Sequence, residues 1–168
     1  MNIVYLADHP KLVPVLAEWA YKEWNIYDPS YTKEKALNSF KLKLNYNKLP
    51  LTLVAIEETV AVGMISLKSA ISPTGYADKG PWISSLYVIP GKRGIGLGKI
   101  LMLEIKKAAL ALGYNELFLF TSVPQAKTWY ENLGWEKITT DLYQNHQIII
   151  MNYIIQKKHQ YSRNLYLK

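Results

Sequence analysis

Leu86-Tyr87-Val88-Ile89-Pro90-Gly91-Lys92-Arg93-Gly94-Ile95-Gly96-Leu97-Gly98-Lys99-Ile100-Leu101 carries an apolar strand through a glycine-dense turn directly into an amphipathic helix. Gly94, Gly96 and Gly98 have no Cβ, so the backbone can turn sharply and an anion can approach consecutive N–H donors. The helix that follows begins with unpaired N–H groups and a partial positive charge. Arg93 and Lys99 add full charges to the same small volume. The junction reads as a site for a pyrophosphate.

The spacing rules out two common glycine-rich alternatives. A P-loop needs a hydroxyl residue after Gly-Lys, but Gly98-Lys99 is followed by Ile100. In a dinucleotide fingerprint, G-x-G-x-x-G, the third glycine falls one residue later than Gly98, and no compact βαβ unit opens the chain. Arg93-Gly94-Ile95-Gly96-Leu97-Gly98 fits instead an R/Q-x-x-G-x-G/A coenzyme A signature, and Val88 through Gly98 closely resembles the V-x-P-x-x-R-G-x-G-[IL]-G motif of the GCN5-related N-acetyltransferase superfamily. Ala126-Lys127-Thr128-Trp129-Tyr130-Glu131-Asn132-Leu133-Gly134-Trp135 resembles that family's second signature, A-x-x-x-Y-x-x-x-G-[FW].

Outward from the glycine turn, residue patterns divide the rest of the chain. Ile3 to Ala7 reads as a strand and Lys11 to Trp24 as a helix with Pro14 in its first turn, where a missing N–H does little harm. Thr32 is an N-cap for a helix reaching about Tyr46, with Leu37, Phe40 and Leu44 at helical spacing. Leu51 to Glu58 and Val60 to Ser69 form a hairpin, Ser72 to Gly80 a loop, and Pro81 to Ile89 the strand entering the glycine turn. From Leu97 to Leu112 a helix turns Leu97, Leu101, Ile105, Ala108 and Leu112 inward and Lys99, Glu104, Lys106 and Lys107 outward, and Gly113 caps it. Glu116 to Ser122 is a strand, Gln125 to Leu133 a short helix, and Trp135 to Tyr143 and Gln147 to Ile155 close the chain as two strands. This order, β-α-α-β-β-β-α-β-α-β-β, is the superfamily's, so the resemblance spans one domain over residues 1–155; residues 156–168 form a basic tail beyond it.

The resemblance implies an α/β fold with a mixed central sheet and helices on both faces. It implies acetyl-coenzyme A as co-substrate, with Arg93, Gly94, Ile95, Gly96, Leu97, Gly98 and Lys99 on its pyrophosphate. The strands before and after the long third helix would part, so that the backbone of Leu86, Tyr87 and Val88 is free for the pantetheine arm, with an N–H near Leu86 meeting the oxyanion that forms on the thioester carbonyl. Tyr130 would face the sulfur and donate a hydrogen bond as thiolate charge develops, since a phenol of pKa about 10 is a weaker acid than an alkyl thiol of about 8.5. Val123 stands where the family often has Asn, and Ser122 would replace one pantetheine contact. Many relatives place a Glu on the strand before the glycine turn, but here the segment reads Trp82-Ile83-Ser84-Ser85-Leu86. Serine can hold a water but is no base, which leaves Asp28, Glu23 and His146 as alternatives and favours an acceptor amine of low pKa. Trp19, Trp24, Tyr27, Trp82 and Tyr143 are candidates for the acceptor pocket, Tyr27 and Trp82 foremost.

Composition narrows the setting. With 49% hydrophobic and 20% charged residues the chain packs as a globule. It has no cysteine, which removes disulfides, thiolate metal sites and a thioester-enzyme intermediate and suits a reducing cytosol. Its three histidines are too widely spaced for a metal site. A start without a basic lead, and apolar runs too short for a bilayer, point to a cytoplasmic protein without membrane contact, as a monomer or homodimer. The net charge of +7 favours anionic ligands, but no finger, RNP motif or recognition helix argues for nucleic acid. The reading is direct acetyl transfer to a small amine or a peptide α-amine in a ternary complex. Its alternatives are a non-catalytic acyl-coenzyme A sensor, or an aminoacyl-tRNA acetyltransferase using the basic surface.

Overall fold

The computed structural model describes residues 1–70, 76 and 78–155. The basic tail 156–168, and Pro73 and Gly75 of the Ser72–Gly80 loop, lie outside the described residues. Strand β1 (Asn2–Tyr5) leads through two short 3-10 turns into α1 (Val13–Trp24), followed by α2 (Lys33–Lys41), β2 (Leu51–Glu57), β3 (Val60–Lys68) and β4 (Trp82–Val88). A 3-10 turn over Pro90–Lys92 then opens α3 (Leu97–Ala111), and β5 (Glu116–Thr121), α4 (Pro124–Glu131), β6 (Glu136–Tyr143) and β7 (His146–Ile154) complete the chain. The element order is the expected one. The seven strands form one sheet, β1-β2-β3-β4-β5-β7-β6, in which β4 and β5 are the parallel neighbours and the other pairs are antiparallel.

Strand parity sorts the core onto the two faces. Leu51, Leu53 and Ala55 of β2 and Leu117 and Leu119 of β5 pack with Leu97, Leu101 and Ile105 of α3 on one face. Val54 and Ile56 of β2 turn to the opposite face, against Leu16 and Ala20 of α1 and Phe40 of α2. Farther along the sheet, Trp82, Phe118, Ile148 and Ile150 form a third cluster. Helices therefore cover both faces, and no helix among the described residues is long and apolar enough to cross a membrane.

Two local readings are corrected. Helix α2 keeps its Thr32 cap, whose Oγ1 accepts from the Lys35 N–H at 3.2 Å, but ends at Lys41 rather than near Tyr46. Asn45 terminates it: its Nδ2 donates to the Leu42 carbonyl at 2.8 Å and to the Pro50 carbonyl at 2.7 Å, so the chain bends where helical spacing would have carried it on. Lys106, expected outward on α3, lies half-buried with its ammonium 3.4 Å from the centre of the Tyr153 ring, where the ring face draws a cation.

Burial holds the Lys106 amine down at about 8. A lysine that binds its proton less tightly when folded weakens the fold below that pH, and the penalty is relieved as pH rises toward the unfolded value of 10.5. Denaturant titrations should therefore show stability climbing between about pH 8 and about pH 10.5 in the parent relative to Lys106→Met. Parallel pH profiles for the two proteins would show that burying the Lys106 amine imposes no such penalty.

Candidate active site

The glycine turn is built as its residues require. Gly94 and Gly96 adopt φ of +79° and +86°, a left-handed conformation that β-carbons disfavour, and a Cβ built on either would meet no atom within 4 Å. The turn is thus open on its outer side. Gly96 is the N-cap of α3 and offers no side chain to the helix start. Among the described residues the backbone N–H groups from Gly94 to Lys99 donate to no acceptor, while Leu97 anchors the first turn in the core. Lys99 is exposed, and no acidic side chain among the described residues pairs with it. Arg93 folds back: its Nε donates to the Val88 carbonyl at 2.8 Å and its guanidinium carbon lies 5.4 Å from the centre of the Tyr87 ring. The charge is thereby held at the mouth of the turn. Lys92 is taken by Glu57, which keeps that carboxyl below its usual range.

Strand β4 is distorted just before the turn. Ser66 pairs with Ser84 and Met64 with Tyr87, so Ser85 and Leu86 together stand opposite Ile65 in a bulge, and Ser85 carries φ of +54°. A non-glycine residue held there is a strained position of the sort that gathers at functional sites. On the other side of the strand the parallel partner is nearly lost. Trp82 and Phe118 are the one register pair between β4 and β5, beside a 2.9 Å bond from the Phe118 N–H to the Pro81 carbonyl. Past that point the strands part, because β5 stays bonded to β7 along its length while β4 stays with β3 through Val88.

The parting opens a groove of about 450 Å³. Leu86 lines it from β4, Ser122 from just past the end of β5, and Tyr130 from α4. The Tyr130 hydroxyl makes no hydrogen bond among the described residues, and burial pushes its pKa up to about 12. The phenol is therefore a standing hydrogen-bond donor rather than a proton source. Tyr87 turns away from the groove, its ring 5.3 Å from that of Trp19. Val88 is already half used, through its carbonyl, by Arg93.

The far wall joins two segments remote in sequence. Tyr27, in the α1–α2 connection, meets His146, at the start of β7, edge to face at 5.3 Å, and Trp24 and Tyr143 line the same groove. Gln144 and Asn145 take positive φ at the hairpin tip, which lets the β6–β7 hairpin reach this position. Glu23, Asp28 and His146, the three alternative bases, all line the groove. Trp82 does not. It is 0% exposed, in the third core cluster, with its indole N–H donating to the Lys79 carbonyl at 2.7 Å. Its expected place in the acceptor pocket is corrected: it holds the closed end of the β4–β5 junction.

Lys43 and Lys68 also line the groove, and sequence reading passed over both. For Lys68 a signal existed. Leu67 faces α3, so its neighbour on β3 must face the α1–α2 side where the groove lies. For Lys43 the helical spacing concealed the signal, because α2 stops two residues before it. No group of three or more metal-ligating side chains is assembled among the described residues.

Residues 13–135 match the family model described as "Acetyltransferase (GNAT) family". Among solved structures the chain is similar to an aminoglycoside 6'-N-acetyltransferase complexed with coenzyme A, at 17% identity and a TM-score of 0.72 over 94% of this chain and 99% of that one. It is similar to the aminoglycoside 6'-N-acetyltransferase from Enterococcus faecium, at 17% identity and a TM-score of 0.70 over the same shares. Ribosomal-protein-alanine N-acetyltransferase from Brucella melitensis is 20% identical with a TM-score of 0.66, over 92% of this chain and 99% of that one. No curated protein matches the chain by sequence.

Proposed function

The chain belongs to the GNAT acetyltransferase family, and from that premise we propose that it moves the acetyl group of acetyl-coenzyme A directly to an amine held beside it in a ternary complex. The observation that carries the reading is the parting of β4 from β5 beyond Trp82–Phe118, with the Tyr130 hydroxyl, unpaired among the described residues, lining the gap and the open glycine turn at the end of β4.

Gly94 to Lys99 would hold the diphosphate through backbone N–H groups and the start of α3, with Lys99 and Arg93 supplying charge. The coenzyme supplies an acetyl thioester. The neutral acceptor nitrogen attacks its carbonyl carbon, a C–N bond forms, the C–S bond breaks, and that electron pair leaves on sulfur. A backbone N–H near Leu86, at the bulge, meets the charge that develops on the carbonyl oxygen. Tyr130 donates to the sulfur as it gains charge, and Ser85 holds the water that takes the amine proton. With no cysteine in the chain, no thioester-enzyme intermediate competes with this route.

No carboxylate stands on β4, so the acceptor should be an amine that loses its proton readily. At pH 7 a lysine-like amine needs about 4.6 kcal/mol to deprotonate and an α-amine of pKa near 8 about 1.4 kcal/mol. The similar structures are named for aminoglycosides and for a ribosomal-protein alanine. Free-thiol release from acetyl-coenzyme A should be faster with α-amines than with lysine side chains or polyamines across pH 7 to 9, with intersecting initial-rate patterns. Faster polyamine acetylation would remove the low-pKa argument, and coenzyme binding without turnover on any amine would favour an acyl-coenzyme A sensor.

A further inference from the structure

Lys43 is 2% exposed, yet it lines the groove. Its ammonium stands 3.8 Å from the centre of the Phe40 ring and 3.5 Å from Ser85 Oγ. Among the described residues neither it nor Lys68, which lines the same groove, has a carboxylate within ion-pairing distance. The remaining residues contain no Asp or Glu that could supply one. Ser84 Oγ, on the same stretch of wall, is buried and has no hydrogen-bond partner among the described residues.

An aliphatic side chain would fill the space of Lys43 without the desolvation that an unpaired ammonium suffers. Two cationic heads and an unused hydroxyl converging on one cavity instead make a receptor for an oxyanion. We infer that the acceptor amine carries a carboxylate, which Lys43 and Lys68 pair with while Ser84 donates a hydrogen bond to it.

This inference rests on the groove being the acceptor site of the reaction proposed above. Burial, and for Lys43 also the charge of Lys68, hold both amines below their ordinary range in the empty groove, and an arriving carboxylate reverses that by supplying the missing counter-charge. A polycationic acceptor would bring like charge against the same two heads. The groove of about 450 Å³ is shared with the coenzyme's pantetheine arm, and the remainder suits a small acceptor such as an amino acid. Glu23 and Asp28, elsewhere on the lining, can receive positive charge from it, Asp28 while its Oδ1 accepts from the Ser30 N–H at 2.9 Å.

The test is calorimetric. Free α- and ω-amino acids, their carboxamides, a peptide with an N-terminal aspartate and putrescine are titrated into the coenzyme A-saturated protein, and the same compounds are assayed for acetylation. The tightest binder is expected to carry a carboxylate, its carboxamide to bind at least about tenfold more weakly, and Lys43→Met to erase most of that difference. Lys68→Met carries the same expectation should Lys43→Met fail to fold, with coenzyme binding as the check of folding. The aspartyl peptide separates a small acceptor from a peptide terminus. Equal or tighter binding of putrescine, or a preference that survives both substitutions, overturns the inference. Carboxylate-selective binding without acetyl transfer would support it and overturn the catalytic reading; transfer to putrescine alone would do the reverse.

Discussion

Replacing Tyr130 by Phe should lower kcat by about 10- to 100-fold while leaving the affinity for coenzyme A within about twofold, since a hydrogen bond to a charged group contributes about 1.5–3 kcal/mol. The ring packs against the α3-side core and lies edge-on to Trp129 and Trp135 at 5.0 and 6.1 Å, and Phe keeps those contacts. What is lost is the hydroxyl alone, which has no partner elsewhere among the described residues to complicate the comparison. With its pKa pushed up to about 12 the phenol stays protonated across the working range, so the loss should be equal at about pH 7 and about pH 9.5. Single-turnover measurements of free thiol at the two pH values check this. A variant with parental kcat would show that Tyr130 serves packing and not the sulfur.

Substituting Val for Gly96 should weaken coenzyme binding by about 100-fold or more while the protein remains folded. The substitution strikes twice. A β-branched residue forced to φ of +86° strains the start of α3, by about 1–2 kcal/mol. Its methyl groups also project into the open space outside the turn, where no protein atom lies within 4 Å of a built Cβ and where the diphosphate is proposed to sit. The first effect lowers the melting temperature, and the second removes affinity. Titration of coenzyme A beside a thermal melt separates them: a variant that melts lower but binds normally would place the diphosphate elsewhere.

The architecture was largely legible in the sequence because its signals are local. Glycines at three alternate positions, Thr32 ahead of an amphipathic run and short, nearly continuous apolar runs in β2 and β5 each dictate a backbone state without help from distant residues. What escaped depends on tertiary contacts. Asn45 ends α2 by bonding across to Pro50, and only then does Lys43 turn inward. Trp82 looked like a pocket aromatic by position, but its side of β4 faces Phe118 and Ile150, and parity within a bulged strand is hard to read without the bulge. Tyr27 and His146 are both candidates for this site through the family resemblance, but their edge-to-face contact joins residues far apart in sequence and has no local signal.

The central claim is that the turn from Gly94 to Lys99 holds a diphosphate so that the attached thioester runs between β4 and β5. Isothermal titration of acetyl-coenzyme A into the folded protein tests it most directly, with desulfo-coenzyme A and pantetheine alone as companions. The account predicts one site per chain, binding that survives loss of the sulfur and fails for pantetheine without its diphosphate. A well-folded protein that gives no heat with acetyl-coenzyme A would contradict it.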